Sequence, residues 1–177
     1  MRGLLTSLTI VAALFFADQA SKWAVMEHVF RPELFGTHGI GFGDWLATFS
    51  MHRLPFTSMI ITPFFNLVMV WNEGISFGVF AGHAAAANRV LLIVLSGIVL
   101  GFGAWMMRTR VRPLKYILAV IIGGAIGNLW DRVRFGGVVD FLDFHAFGYH
   151  YPAFNVADSA IVLGMLGLIL YELIKGR

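Results

Sequence analysis

The chain has 177 residues, 58% of them hydrophobic and only 13% charged, with a mean hydropathy of +0.77 and a formal net charge of +3. Soluble domains carry about 25% charged residues, and a chain this short has too little interior to hide so much apolar surface. Composition therefore excludes a soluble globular enzyme and points to one integral membrane domain over 1–177. Cysteine is absent, which removes disulfides, thiolate catalysis and cysteine-ligated metals. The basic residues sit beside apolar runs, as membrane topology requires, so no nucleic-acid partner is expected.

In chain order, the first apolar run is about 4–26, "LLTSLTIVAALFFADQASKWAVM". It is long enough to cross a bilayer, which takes about 20 residues. Arg2 and this run imitate a signal peptide, but Asp18 sits badly beside a cleavage site and three more spans follow. Residues 31–56 form a Gly-, Trp- and Phe-bearing stretch that reads as a surface-lying loop. The segment at about 56–80 is apolar but interrupted by Pro63 and Asn66. Within it "FNLVMVWNEGISFGVF" predicts two short strands around a turn at Glu73-Gly74, a small sheet at the membrane surface rather than a fifth span. Further spans are predicted at about 88–107, 115–132 and 153–174, with Pro152 placed to start the last. The expected fold is thus mainly α: a four-transmembrane-helix bundle with a small periplasmic β-sheet and a surface loop.

Basic residues set the orientation. Arg2, the run Arg108, Arg110, Arg112 and Lys115, and Lys175 with Arg177 all fall on one side of four spans. That side is cytoplasmic by the positive-inside rule, so both termini are expected there and the connections at about 27–87 and 133–152 outside.

Ionisable groups in a span cost roughly 2.5–3.5 kcal/mol at its centre, and here they gather toward the outer ends. Asp18 and Lys22 stand i, i+4 and can neutralise each other. A Ser21–Lys22 catalytic pair fails, because adjacent helical residues point about 100° apart. In the third span Gly124, Asn128 and Asp131 share a face, and Gly123 and Gly127 form a G-x-x-x-G suited to close helix packing. Asp131 with Arg132 reads as an interfacial charge pair. In the fourth, Asn155 and Asp158 stand i, i+3; a dipole role for Asp158 is worth about 0.3–1 kcal/mol but would be met as well one turn earlier, in water. Asp140 in "GGVVDF" is a loop acid set among Val, Val and Phe. If spans three and four are neighbours, Asp140 and Asp158 converge at the outer face. Two close carboxylates share a proton. The ionised one can deprotonate water while the neutral one donates to a carbonyl oxygen, and the pair titrates as a unit.

Five ordered blocks carry a resemblance: "DQASKWAV" at 18–25, "ITPFFNLVMVWNEGISFGVF" at 61–80, "GGAIGNLWDRV" at 123–133, "GGVVDF" at 136–141 and "FNVADSAI" at 154–161. Together they are similar to the bacterial lipoprotein signal peptidases, or signal peptidase II. The resemblance implies a four-span aspartic peptidase of the inner membrane. It would cleave lipid-modified prolipoproteins before the diacylglyceryl cysteine, with Asp140 and Asp158 catalytic and the site near the periplasmic face. It places Asn72, Gly74, Asn128, Arg132 and Asn155 around that site and the Asp18–Lys22 pair close to it, with Arg132 engaging either a lipid head group or the site itself. It implies no metal or other cofactor, phospholipid as surroundings and a monomer. The stretch 31–56 departs from it, being longer than the family's usual first outer connection. Three other readings are weaker. A proton-coupled transporter lacks an inverted repeat here, and a metal hydrolase built on Asp140, Asp143 and His145 or His150 lacks an H-E-x-x-H spacing. A structural subunit leaves Asp140 and Asp158 without a purpose.

Overall fold

The computed structural model describes residues 2–49, 53–74 and 84–176, with the side chains of residues 2 and 84–87 left aside. Four helical stretches are long and apolar enough to cross a membrane: Gly3–Phe35, Asn88–Arg108, Arg112–Phe135 and Val156–Lys175. The first comprises α1 (Arg2–Trp23), a π-helical segment (Ala24–Phe30) and α2 (Arg31–Phe35), which ends at Gly36 in the left-handed conformation. The short α3 (Phe42–Ala47) follows, then strands β1 (Thr57–Thr62) and β2 (Phe65–Asn72). Helices α4 (Ala84–Arg108) and α5 (Arg112–Phe135), strands β3 (Val138–Ala146) and β4 (Tyr149–His150), and α6 (Val156–Lys175) complete the order. The chain is mainly helical with a small open antiparallel sheet, as its composition predicts.

The chain divides into two compact units. The first, Met1–Asp18, Leu91–Trp130 and Val156–Arg177, is helical. Met106, Leu114, Leu118, Ala119 and Ile122 form its buried core, with Val11, Phe102 and Leu168 packed against it. Ile93, Leu100, Leu163 and Leu170 are exposed, the apolar exterior that a bilayer rather than water would cover. Glycines let the helices approach. Val11 and Leu14 of α1 lie where a Cβ on Gly123 would go, and Ala157 and Ala160 of α6 lie at Gly124. This is the small-residue packing expected of membrane helices.

The second unit, Gln19–Val90 and Asp131–Asn155, holds the sheet, ordered β1-β2-β3-β4 and antiparallel throughout. A turn follows β2 at the expected Glu73-Gly74, where the Gly74 N–H bonds the Asn72 side chain, and a further turn at Pro63-Phe64 joins β1 to β2. Pro63 presets the φ that a turn needs, and the Thr62 hydroxyl accepts the Phe64 N–H. The predicted second strand after Gly74 falls at 75–83, outside the described residues. On its other side β2 pairs with β3, with Val70 opposite Asp140 and Asn72 opposite Val138. Pro152 does not begin the last helix. Phe154 first exchanges backbone hydrogen bonds with Leu142 on β3, so α6 starts only at Val156.

In α5, a Cβ on Gly124 would stand 2.5 Å from the Ala157 carbonyl oxygen, whereas one on Gly101 in α4 meets nothing within 4 Å. Gly124→Ala is expected to destabilise the protein by about 1–3 kcal/mol through overpacking. Gly101→Ala should leave it unchanged or stabilise it by up to about 1 kcal/mol. Thermal unfolding of the purified variants in detergent checks both, and equal melting temperatures would contradict the packing.

Candidate active site

Asp140 lies on β3, just past the turn Gly136-Gly137, whose first glycine has φ 71°. Only 1% of the residue is exposed, and both carboxylate oxygens are engaged. Oδ1 accepts the Asn155 side-chain amide at 2.7 Å and Oδ2 accepts that of Asn72 at 2.9 Å. The Asn155 amide also donates to the Val139 carbonyl at 3.2 Å. Asn72 is itself held, because its Oδ1 accepts the Gly74 N–H at 2.8 Å. That bond closes an Asx-type turn with Gly74 at φ 74°, a conformation that favours glycine. A cavity of about 350 Å³ opens here, walled by Trp71, Asn72, Glu73, Asp140 and Pro152. A buried acid, held on both oxygens, thus stands in the wall of an open cavity.

In the helical unit, Asp158 is in the first turn of α6 and accepts the Asn128 side-chain amide at 2.7 Å. Asp18 of α1 accepts the Ala157 N–H at 3.0 Å, satisfying one of the donors a helix start leaves open. Gly127 makes room for this, since a Cβ there would lie 2.5 Å from Asp18 Oδ2. Asp18 therefore acts as a capping group for another helix, beyond the pairing that its spacing to Lys22 suggests.

Residues 10–174 match the family described as signal peptidase (SPase) II. The chain belongs to the signal peptidase II family. It is 36% identical over 170 residues to the lipoprotein signal peptidase of Methylobacterium sp. (strain 4-46), covering 96% of this chain and 90% of that one. Its identity to the lipoprotein signal peptidase of Anaplasma phagocytophilum (strain HZ) is 31% over 176 residues, 99% and 96% of the two chains. Among solved structures, a bacterial membrane enzyme determined in meso at 1.9 Å superposes with a TM-score of 0.65 at 26% identity, covering 95% of this chain and 92% of the other. Another, at 2.3 Å, gives 0.66 at 24% identity over 97% and 90%, a likeness of fold alone.

The residues singled out from the sequence form two groups. Asp140, Asn72, Gly74 and Asn155 gather in the sheet unit, and Asp158, Asn128 and Asp18 gather in the helical one. Lys22 and Arg132, both buried, belong to the sheet unit. The Arg132 carbonyl accepts the Gly136 N–H at the end of α5.

Asp131 corrects its expected role as the partner of Arg132. Its cation is Lys22, at 2.7 Å, with both side chains fully buried. Its oxygens also accept the Gln19 amide at 2.9 Å and the Val139 N–H at 3.3 Å. Gln19 in turn accepts from Arg134 at 3.0 Å. Sequence reasoning missed Gln19, Asp131 and Arg134 as a network. The available signal was three polar residues, Asp18, Gln19 and Lys22, within little more than one turn of an apolar helix.

Asp143, His145 and His150, weighed above as metal ligands, engage otherwise. Asp143 accepts the Asn66 amide at 2.8 Å and contacts His150 Nδ1 at 2.9 Å, while the His145 and His150 rings stack 4.7 Å apart. Among the described residues no three His, Asp or Glu side chains converge as a metal site.

Two predictions follow from these contacts. Lys22→Met leaves Asp131 buried without this cation and should cost about 3–5 kcal/mol, while Lys22→Met with Asp131→Leu should recover part of the loss. Chemical denaturation of the two variants tests this, and a single variant as stable as the native chain would refute it. Burial pushes the Asp143 carboxyl up, but the Asn66 amide and the His150 ring outweigh it and hold its pKa below the ordinary value of 3.8. A depressed folded pKa means that the contacts stabilise fully above about pH 4 and cease to do so as pH falls through the folded value. The melting temperature of the native chain should therefore exceed that of Asp143→Asn at pH 6, and the gap should narrow by pH 3.

Proposed function

We propose that this bacterial membrane protein hydrolyses the bond joining the signal peptide to the lipid-modified cysteine of prolipoproteins, with Asp140 and Asp158 as its catalytic pair. Family membership supports the reaction class, and the relatives' shared name, lipoprotein signal peptidase, supports the substrate. The observation that carries the assignment of residues is Asp140 itself, a buried acid in a cavity wall with an amide on each oxygen. Asn155, which donates one of those amides, precedes Asp158 by three residues in the sequence.

In this reading one carboxylate removes a proton from a water whose oxygen attacks the scissile carbonyl carbon. The other carboxyl donates its proton to the carbonyl oxygen, and the tetrahedral intermediate collapses as the departing amine is protonated. No covalent intermediate forms, and the hydrolysis needs no cofactor. The Asn72, Asn155 and Asn128 amides fix the carboxyl planes, a positioning effect on which rate depends steeply. The peptide lies extended along Asn72 and Glu73 at the cavity. Asp18 and Lys22 support the site by capping α6 and neutralising Asp131. The burial of Arg132 favours a role within the site over one at a lipid head group. In this reading both termini lie in the cytoplasm and the cavity lies near the periplasmic face of the inner membrane, an orientation supported by the placing of the basic residues. The whole of 1–177 acts as one monomeric peptidase domain, with phospholipid against its exposed apolar helices.

Purified Asp140→Asn and Asp158→Asn proteins should each lose about 10³-fold or more in cleavage of a diacylglyceryl prolipoprotein while melting like the native chain. Near-normal turnover by either variant rules out the pair.

A further inference from the structure

The stretch 31–56 has no assigned task, yet its last residues touch the surroundings of Asp140 closely. Arg53 Nη2 donates to the Phe135 carbonyl at 2.8 Å, with Nε at 3.3 Å from the same oxygen. Its Nη1 pairs with the Glu73 carboxylate, and its guanidinium lies 5.3 Å from the centre of the Trp71 ring. The next residue, Leu54, accepts the Trp71 indole N–H at 2.9 Å through its carbonyl. Two residues of this stretch therefore grip both the end of β2 and the turn into β3.

The grip is built closely on its other side. A Cβ on Gly137 would lie 3.2 Å from Arg53 Nη2 and 3.4 Å from the Asn72 carbonyl oxygen. Gly136-Gly137 thus serves the approach of a guanidinium as well as the reversal of the chain. Between the gripped residues Trp71 and Glu73 stands Asn72, whose amide holds Asp140 Oδ2. Glu73, the carboxylate bound by Arg53, lines the cavity, whereas Arg53 does not. A planar fork can serve a carbonyl and a carboxylate together, which an ammonium cannot do with the same geometry.

We propose that Arg53 is a positioning residue for hydrolysis: by holding the Phe135 carbonyl and Glu73 together, it sets the Asn72–Gly74 corner against Asp140. The task of the long stretch is then to deliver this arginine behind the cavity wall. The inference rests on the assignment of Asp140 above.

The test compares Arg53→Lys, Arg53→Ala and Glu73→Gln with the native chain and Asp140→Asn, all as full-length protein in detergent with a diacylglyceryl prolipoprotein. Arg53→Lys should lower kcat about tenfold with KM within about twofold, because the corner shifts slightly against Asp140 while no side chain lining the cavity is replaced. Amide exchange across 71–74 and 136–138 should quicken in the same variant. Glu73→Gln, which keeps the Phe135 bond, should lower kcat less than Arg53→Lys. A merely structural role would instead lower the melting temperature and leave kcat per folded molecule unchanged, and that result overturns the proposal. If Arg53→Ala does not fold, Arg53→Lys decides alone. Activity in Asp140→Asn would sink the active-site reading. Loss of activity there with a native kcat in Arg53→Lys would sink only this inference.

Discussion

The Asp131 carboxylate is the point on which the sheet unit turns. It takes a charge-assisted bond from Lys22 of α1, an amide from Gln19 and the backbone N–H of Val139. Withdrawing an ion pair from water costs several kcal/mol per ion, and replacing such a pair with apolar residues often leaves stability unchanged or improved. Its value here lies in specificity. Three donors from two segments must reach one carboxylate, and only one placement of β3 brings the Val139 N–H to it. Val139 precedes Asp140, so the carboxylate that Lys22 neutralises also holds the backbone next to the candidate catalytic acid.

A second constraint acts on the helices. In a bilayer the open donors at a helix start find no water and must be met by protein. At α6 one of them, the Ala157 N–H, is met by Asp18 from another helix. That approach is possible only because position 127 of α5 has no side chain. Asn128, the next residue of α5, then holds Asp158 in the first turn of α6. A glycine that looks like plain packing is therefore what admits a capping acid beside a candidate catalytic one.

Spacing along the chain foretold what is local and little of what is distant. The apolar runs marked the four long helices because their lengths match a bilayer. The G-x-x-x-G marked close packing because its residues share one helix face. Asn72 and Gly74 were chosen by resemblance, and their mutual Asx turn explains why they come as a pair. Asp131 and Gln19, 112 residues apart, left no such trace, since periodicity reports neighbours on one helix only. β3 was missed because Asp140 and Asp143 break its apolar pattern, and both are buried there by partners from elsewhere, Asn155 and Asn66. The two turn signals serve different places. Pro63 makes the turn, while Gly74 shapes the loop that holds Asn72.

The described part of the stretch 31–56 is mostly exposed, with Phe35, Phe49 and Phe56 at the surface, but it is anchored at a few points. Its Gly, Trp and Phe content suggests a surface-lying loop, yet Trp45 is fully buried. The Arg134 guanidinium lies 4.2 Å from the Trp45 ring centre and the same distance from that of Phe135, and donates to the Trp45 and Thr48 carbonyls. Near its start, buried Glu27 pairs with Arg31 and accepts the Ile40 N–H. Near its end, Arg53 clasps Phe135 and Glu73. Lengthening a loop costs little entropy, which grows only with the logarithm of its length, so extra residues are cheap to add. Fixing them is the harder requirement, and here it is met by two guanidiniums and one carboxylate that bond the backbone at separated points. Through Arg53 one of these anchors reaches Glu73, which lines the cavity beside Asp140.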